Sequence, residues 1–194
     1  DLNDLCKYWK WIFPVGVVCI LLLVTPLGIA DNTGNRAWLD FPFLPVKVQP
    51  AEIVKLTLTL VLAKQLVWLK ENRNLSSIPS VLFLAAHLGV IFVLYYKVSS
   101  DMGSALVFLF IFACMCFVGG VALRWFLLGG LAGGLAFWAL WDLNKIPSYM
   151  KLRFQVLFDH SLDPQDTGWQ QTRSLMALGS GKLTGQGLFH GTQT

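Results

Sequence analysis

The sequence predicts an all-α polytopic membrane protein with about five transmembrane helices and part of a large extracellular loop. Its 194 residues are 55% apolar and only 13% charged, whereas an average soluble domain is about 45–50% apolar and about 25% charged. The 15 basic and 11 acidic residues are scattered along the chain and form no basic face. This composition excludes a disordered or nucleic-acid-binding protein and indicates a membrane protein.

Five segments reach the length and apolar character that a transmembrane helix needs, some of them only with their flanks. They are 11–30, 48–69, 78–98, 102–120 and 121–143. The second segment is the least apolar because it carries Glu52, Lys55, Lys64 and Gln65. His87 lies inside the third segment, and we interpret it as hydrogen-bonded between helices.

The basic residues of the short connections predict the orientation in the membrane. With the N-terminus in the cytoplasm, the inside set is Lys7, Lys10, Lys64, Lys70, Arg73 and Arg124, and the outside set is Arg36, Lys47 and Lys97. We therefore predict a transmembrane bundle over 1–143 and a truncated extracellular loop over 144–194. Within that loop we expect short helices near 149–158 and 169–178, followed by a glycine-rich loop over 179–191.

The second predicted span opens with a charged pair. Pro50 suits the first position of a helix, and Glu52 in the first turn complements the positive end of the helix dipole. Glu52 and Lys55 share a helix face, and charges at membrane depth normally face the bundle interior or a wet cavity. We interpret these two residues, with Gln49, as lining a polar cavity for a charged lipid headgroup. The alternative is an ion pair that holds helices together.

Two more charged residues lie on the predicted outer side. Arg36 has the planar fork that suits phosphate, and Trp38 can anchor its loop at the membrane interface. The alternative for Arg36 is an ion pair with Asp31 or Asp40. Asp101 opens the fourth span, where it fits either an N-cap or the mouth of the proposed cavity. We assign no residue to a metal site.

Four short sequence blocks, in order and with fitting spacing, carry a family resemblance. They are Gly34-Asn35-Arg36-Ala37-Trp38-Leu39, Gln49-Pro50-Ala51-Glu52-Ile53-Val54-Lys55, Asp101-Met102-Gly103-Ser104-Ala105, and Ala177-Leu178-Gly179-Ser180-Gly181 followed by Gly185-Gln186-Gly187. Together they resemble the SEDS family (shape, elongation, division and sporulation) of RodA, FtsW and SpoVE. The resemblance covers essentially the whole chain, and it implies the third to seventh spans of a protein with about ten.

The resemblance implies a peptidoglycan glycosyltransferase of the bacterial cell membrane. Such a protein polymerises lipid II on the outer face, works with a class B penicillin-binding protein, and is assisted by a divalent cation (Mg²⁺ or Mn²⁺). It also implies that the essential Asp of the family lies beyond Thr194. We therefore leave the catalytic base unassigned and expect these 194 residues alone to be inactive.

Several positions depart from the family pattern. Ala51 replaces the usual Ser of Gln-Pro-Ser-Glu, and Ser99-Ser100 replaces the usual Gln-Pro before Asp. Arg173 stands where Gln is usual and Lys182 where Gly is usual. These differences indicate a divergent member, and the family motifs do not separate elongation, division and sporulation.

The leading hypothesis assigns substrate-binding roles to Gln49, Arg36, Glu52, Lys55 and Asp101. Arg36 and Lys55 would stabilise the charge that develops on a leaving pyrophosphate, and the two carboxylates would orient Lys55 or bind a metal ion. A second hypothesis is a flippase for lipid-linked sugars, which needs polar groups from one membrane face to the other. A third is a non-catalytic scaffold for a penicillin-binding protein.

Overall fold

The computed structural model describes residues 7–30, 35–43, 45–146, 148–156, 158–159, 167–182, 184–187 and 190–191. These residues form seven helices and one two-stranded sheet. In chain order the elements are α1 (Trp9–Leu22), β1 (Gly28–Ala30), β2 (Arg36–Leu39), α2 (Pro50–Asn72), α3 (Ile78–Ser99), α4 (Met102–Gly119), α5 (Leu123–Asp142), α6 (Ser148–Val156) and α7 (Thr167–Gly181). The helical architecture predicted from the apolar segments is confirmed.

The helices differ in how well they fit a bilayer. Among the described residues, α3, α4 and α5 are long and apolar enough to cross a membrane. Helix α1 is apolar but has only 14 residues, while α2 has 23 residues and is interrupted by charges such as Glu52, Lys55 and Lys64. The chain is therefore a multi-pass membrane protein, and the number of five spans stays a prediction.

The chain divides into two compact units, Asp1–Gly129 and Gly130–Thr194. Two apolar clusters form the core of the first unit. The hairpin-side cluster includes Ile20, Leu39, Ala51, Val54, Leu58, Tyr95, Ala105 and Phe108. The far-side cluster includes Leu62, Leu66, Leu69, Leu75, Leu84, Cys116 and Val121. The predicted division at residue 143 stays a prediction.

The first helix ends earlier than predicted, at Leu22 instead of Ala30. The Thr25 hydroxyl donates to the Leu22 carbonyl (2.6 Å), and Pro26 cannot continue a helix. A side chain at Gly28 would overlap the backbone of the preceding turn, so the turn requires glycine. The apolar run therefore ends in strand β1 and not in a continuous span.

Strands β1 and β2 form an antiparallel hairpin that the sequence analysis did not predict. Gly28 pairs with Leu39 and Ala30 with Arg36, and a bulge lies between Ile29 and Ala30. Leu39 also exchanges two backbone hydrogen bonds with Val48, at 2.8 and 2.9 Å. This bridge joins the hairpin to the residue that precedes Gln49 and helix α2.

Two tight turns connect α3, α4 and α5. Ser100 ends α3 in the left-handed conformation (φ 59°), and its N–H donates to the Tyr96 carbonyl. Gly120 ends α4 with φ 96°, and the Val121 N–H donates back to the Cys116 carbonyl (3.0 Å), as in a Schellman motif. The two turns lie where the sequence divides the predicted segments 78–98, 102–120 and 121–143.

The second unit contains the C-terminal part of α5 with α6 and α7. The Phe154 ring of α6 lies 5.7 to 5.8 Å from the rings of Phe137, Trp141 and Phe158. Lys151 Nζ donates to the Trp141 carbonyl (3.1 Å) and to Asn144 Oδ1 (2.6 Å). The two predicted short helices are confirmed, and the second continues through Gly181 into the predicted glycine-rich loop.

Helices α1 and α2 pack closely at Gly16, which gives a test of the bundle. A Cβ atom at Gly16 would lie 2.5 Å from Thr57 Oγ1, so we expect Gly16→Ala to lower the free energy of unfolding by about 1–3 kcal/mol. The control is Gly89→Ala, because a Cβ at Gly89 meets nothing within 4 Å. Adding Thr57→Ala to Gly16→Ala should recover most of the loss. Denaturant titration of the full-length protein in mixed micelles measures these changes, and equal stability of the two Ala variants would contradict the packing.

Candidate functional site

Helix α2 begins where the sequence predicts a helix start. Gln49 is the N-cap residue with extended backbone (φ −96°, ψ 111°), and Pro50 follows at the first helical position, where its missing N–H costs no hydrogen bond. The Gln49 side chain makes no capping hydrogen bond and is half-buried. It is therefore available for a ligand, and its predicted substrate role stays a prediction.

Glu52 and Lys55 form an ion pair within α2. Lys55 Nζ donates to Glu52 Oε1 at 2.7 Å, and the two side chains are 30% and 62% exposed for Lys55 and Glu52 respectively. The alternative hypothesis proposed an ion pair that holds two helices together. It is wrong for this pair, because both residues belong to α2. An accessible pair of this kind contributes at most about 1 kcal/mol to stability. Its main consequence is positional, because the carboxylate holds the ammonium group at the start of α2.

Arg36 is the first residue of β2 and projects from its exposed side. The burial along β2 alternates, with Ala37 and Leu39 buried and Arg36 and Trp38 exposed. Within the described part of the chain, Arg36 makes no ion pair, and Asp40 in particular does not pair with it. The other proposed partner, Asp31, lies outside the described residues. Gly34 of the same sequence block lies outside them as well. Among the described residues, nothing therefore prevents the guanidinium from binding an anion.

Asp101 is the N-cap of α4, as one of the two interpretations predicted. Its Oδ1 accepts from the Ser104 N–H (3.2 Å), and its Oδ2 accepts from the Ser104 hydroxyl (2.6 Å) and from the Tyr95 hydroxyl (3.2 Å). The Tyr95 side chain is fully buried. The sequence analysis missed Tyr95 as a partner. The sequence feature that could have indicated this contact is the position of Tyr95, about one helical turn before the connection between α3 and α4.

The elements that carry these residues pack on the same apolar cluster. Leu39 of β2, Ala51 of α2, Tyr95 of α3 and Ala105 of α4 all belong to the hairpin-side cluster. The predicted site residues thus lie on or next to elements that pack on this cluster, and among the described residues only Glu52 and Lys55 of the set contact each other directly. We call this set the charged rim. It consists of Arg36, Gln49, Glu52, Lys55 and Asp101.

The charged rim does not by itself make a metal site. The described residues include no group of three His, Cys, Asp or Glu side chains that could hold a metal ion. Glu52 is held by Lys55, and Asp101 is held by Tyr95 and Ser104. These contacts do not fit a cation site built from protein ligands alone, so no chemical step below depends on a bound metal.

His87 is part of a buried polar contact between helices, as predicted. Gln65 Oε1 of α2 accepts a hydrogen bond from His87 Nδ1 of α3 (2.9 Å), and the Phe13 ring of α1 lies edge-on to the imidazole at 5.1 Å. His87 Nε2 is buried and has no partner among the described residues. The contact joins three helices through one imidazole ring.

This contact predicts an asymmetry between single and double substitutions. Gln65→Leu leaves the His87 imidazole buried without a partner, which should lower the free energy of unfolding by about 1–3 kcal/mol. Gln65→Leu with His87→Leu removes both polar groups and should cost much less. Unfolding of the full-length variants in mixed micelles measures the difference. A double variant less stable than the single one would show that His87 is needed for more than this contact.

The C-terminal sequence block forms a separate feature in the second unit. A cavity of about 330 Å³ lies where α7 ends, with Ser180, Lys182 and Gln186 among its lining residues. Lys182 and Gly185 have positive φ angles of 51° and 74°. The Arg173 guanidinium stacks on the Trp169 ring at 4.5 Å. Residues 192–194 lie outside the described residues.

Sequence comparison identifies relatives over nearly the whole chain. The Tolumonas auensis protein named "Probable peptidoglycan glycosyltransferase FtsW" is 30% identical over 197 residues, covering 96% of this chain and 47% of its own length. The Escherichia coli K12 protein named peptidoglycan glycosyltransferase MrdB is 30% identical over 191 residues, covering 96% of this chain and 49% of its own. The chain thus spans about half the length of the relatives that it matches.

Solved structures show the same fold. One solved structure is described by the words "Structural coordination of polymerization and crosslinking by a peptidoglycan synthase complex". It matches with a TM-score of 0.73 and 30% identity, over 93% of this chain and 51% of that one. The rod shape determining protein RodA of Thermus thermophilus matches with a TM-score of 0.54 and 30% identity, over 69% of this chain and 42% of that one. The family model of the cell cycle proteins FtsW, RodA and SpoVE matches residues 1–194. The chain therefore belongs to the FtsW, RodA and SpoVE family of cell cycle proteins.

Proposed function

We propose that the full-length protein is a peptidoglycan glycosyltransferase that polymerises lipid II at the outer face of the bacterial cell membrane. The family match over all 194 residues supports this proposal, as does the name of the E. coli relative. The observation that carries it in this chain is the charged rim, where two basic side chains lie on elements that pack on one cluster.

The proposed reaction places a growing negative charge next to these cations. A sugar hydroxyl of one lipid II attacks the anomeric carbon of the lipid-linked glycan strand. The glycosidic bond forms as the bond to the polyprenyl pyrophosphate breaks, and the hydroxyl proton passes to a base that we do not assign. Fixed cations at the pyrophosphate stabilise such a transition state because their position is set before the reaction.

The two cations have different tasks in this proposal. Arg36 is exposed and has no ion pair among the described residues, so its planar fork can take two phosphate oxygens at once. Lys55 presents a single ammonium group that Glu52 holds at 2.7 Å. Gln49 offers an amide for the sugar or phosphate. Asp101 acts mainly through the packing of Tyr95 and the start of α4.

A divalent cation and a partner protein belong to the proposal as well. Mg²⁺ is commonly bound by one or two carboxylates together with substrate phosphates, so the pyrophosphate would supply most of the ligands for Mg²⁺ or Mn²⁺. A class B penicillin-binding protein is the proposed partner, and the match to a peptidoglycan synthase complex supports it.

The test uses purified full-length protein with labelled lipid II, with and without the partner. We expect glycan strands from the wild-type protein and a strong reduction from the variant Arg36→Ala with Glu52→Ala, while both insert into the membrane equally. Unchanged product from the double variant would refute the assigned roles. Movement of lipid II across vesicle membranes without polymerisation would favour the flippase hypothesis, and activity of the partner alone would favour the scaffold hypothesis.

A further inference from the structure

A cavity lies on the first unit, along α2 beyond the charged rim. It has a volume of about 380 Å³ and lies among helices α1, α2 and α3. We call it the two-lysine cavity. It is lined by Trp9, Lys10, Lys64, Gln65, Trp68 and Phe83.

The cavity is positively charged. Lys10 and Lys64 line it, and none of its described lining residues is a carboxylate. Neither lysine forms an ion pair with any residue that the structure describes. The Arg73 guanidinium lies 5.8 Å from the centre of the Trp68 ring, which adds a third cation beside the cavity. A ligand that fits this charge pattern is an anion.

The cavity lies toward the C-terminal end of α2, which the sequence analysis places on the cytoplasmic side of the membrane. Lys64 lies eight residues before the helix end at Asn72, which is roughly 12 Å at 1.5 Å per residue, and a lysine side chain can extend toward the interface from there. Trp9 and Trp68 are residues of the kind that anchor at this interface. The same end of the bundle carries most of the basic residues that the positive-inside rule places in the cytoplasm.

We infer that the two-lysine cavity binds the headgroup of an anionic phospholipid from the leaflet at this end of the bundle. Basic pockets between transmembrane helices on the cytoplasmic side favour such headgroups. The phosphate would lie between Lys10 and Lys64, and the acyl chains would follow the exposed apolar side chains of Trp11 and Phe83. A zwitterionic phospholipid fits less well, because the described lining residues offer no carboxylate for its ammonium group.

This site is separate from the charged rim. Lys64 lies nine residues along α2 from Lys55, which corresponds to roughly 13 Å along the helix. The floor of the two-lysine cavity is also fixed, because the Gln65 side chain is hydrogen-bonded to buried His87. The inference therefore does not depend on the proposed polymerase activity.

The test is native mass spectrometry of the full-length protein in micelles with equimolar phosphatidylglycerol and phosphatidylethanolamine. We expect the wild-type protein to retain phosphatidylglycerol preferentially. Lys10→Gln with Lys64→Gln should weaken that binding by about 30-fold, since each of the two basic residues near an anionic headgroup contributes about 1 kcal/mol and about 1.4 kcal/mol corresponds to tenfold. Lys10→Arg with Lys64→Arg should retain it.

The matched control is Lys70→Gln, which removes one charge from the exposed end of the same helix outside the cavity. Equal weakening in this control, or no preference for phosphatidylglycerol in the wild-type protein, would overturn the inference. Displacement of phosphatidylglycerol by equimolar lipid II would overturn it as well and would indicate a transport route. The melting temperature of each variant shows whether a loss of lipid binding is caused by a loss of folding. The double variant Lys10→Arg with Lys64→Arg is the folded reference.

Discussion

Replacing Lys55 by methionine in the full-length protein is expected to reduce the rate of lipid II polymerisation by about 100-fold. A positioned donor that faces charge developing in a transition state typically contributes about 100- to 1,000-fold to the rate. Methionine keeps the length of the side chain but removes the ammonium group. The Glu52 carboxylate that loses its partner is 62% exposed, so water can solvate it and the protein should remain folded.

The control for Lys55→Met is Lys47→Met, which removes the same charge from an exposed position shortly before α2. We expect this variant to polymerise at the wild-type rate. Glu52→Gln should fall between the two, because an amide can still accept a hydrogen bond from Lys55 but no longer holds it by charge. Initial rates at saturating lipid II, with circular dichroism as the check on folding, measure these differences. Equal activity of the two methionine variants would remove Lys55 from the mechanism.

The start of α2 could be predicted from the sequence because it depends on local rules. Pro50 at the first helical position and Glu52 in the first turn are determined by neighbours within four residues. The contact between Glu52 and Lys55 follows from their spacing on one helix. The N-cap role of Asp101 is equally local, since its Oδ1 accepts from the N–H three residues later.

The hairpin could not be predicted in the same way because its pairing is not local. The run from residue 11 to residue 30 is apolar enough for a span, and only Thr25, Pro26 and Gly28 mark the end of the helix within it. The bridge between Leu39 and Val48 joins residues on two sides of a loop. Composition does not encode such a bridge, yet this bridge is what brings Arg36 to the end of the bundle where α2 begins.

The position of Tyr95 one turn before the α3–α4 turn was not enough to predict its link to Asp101. That link depends on the left-handed turn at Ser100 (φ 59°), which a non-glycine residue adopts uncommonly. The Tyr95 ring packs edge-on against Phe108 of α4 at 5.1 Å, so the two helices are already in contact below the turn. The sequence indicates each residue's own preference but not that the buried hydroxyl reaches the next helix.

Asp101 is where this buried contact predicts a large effect on stability. Asp101→Ala removes the N-cap of α4, which typically contributes about 1 kcal/mol. It also leaves the buried Tyr95 hydroxyl without this acceptor, at a further cost of about 1 kcal/mol or more. We therefore expect a loss of about 2 kcal/mol or more in the free energy of unfolding, together with reduced polymerisation.

Asp101→Asn separates the structural role from a role that needs negative charge. The Asn side chain has nearly the same shape and can cap α4 with its carbonyl oxygen, while the Tyr95 and Ser104 hydroxyls can turn to accept from its amide group. We expect this variant to have nearly wild-type stability and activity. Denaturant titration and the lipid II assay on the full-length protein give the two readouts. A stable but inactive Asn variant would instead mean that the carboxylate charge acts on substrate or on a cation. The reason is that Asn can make the same three hydrogen bonds as Asp, so their loss could not explain the lost activity.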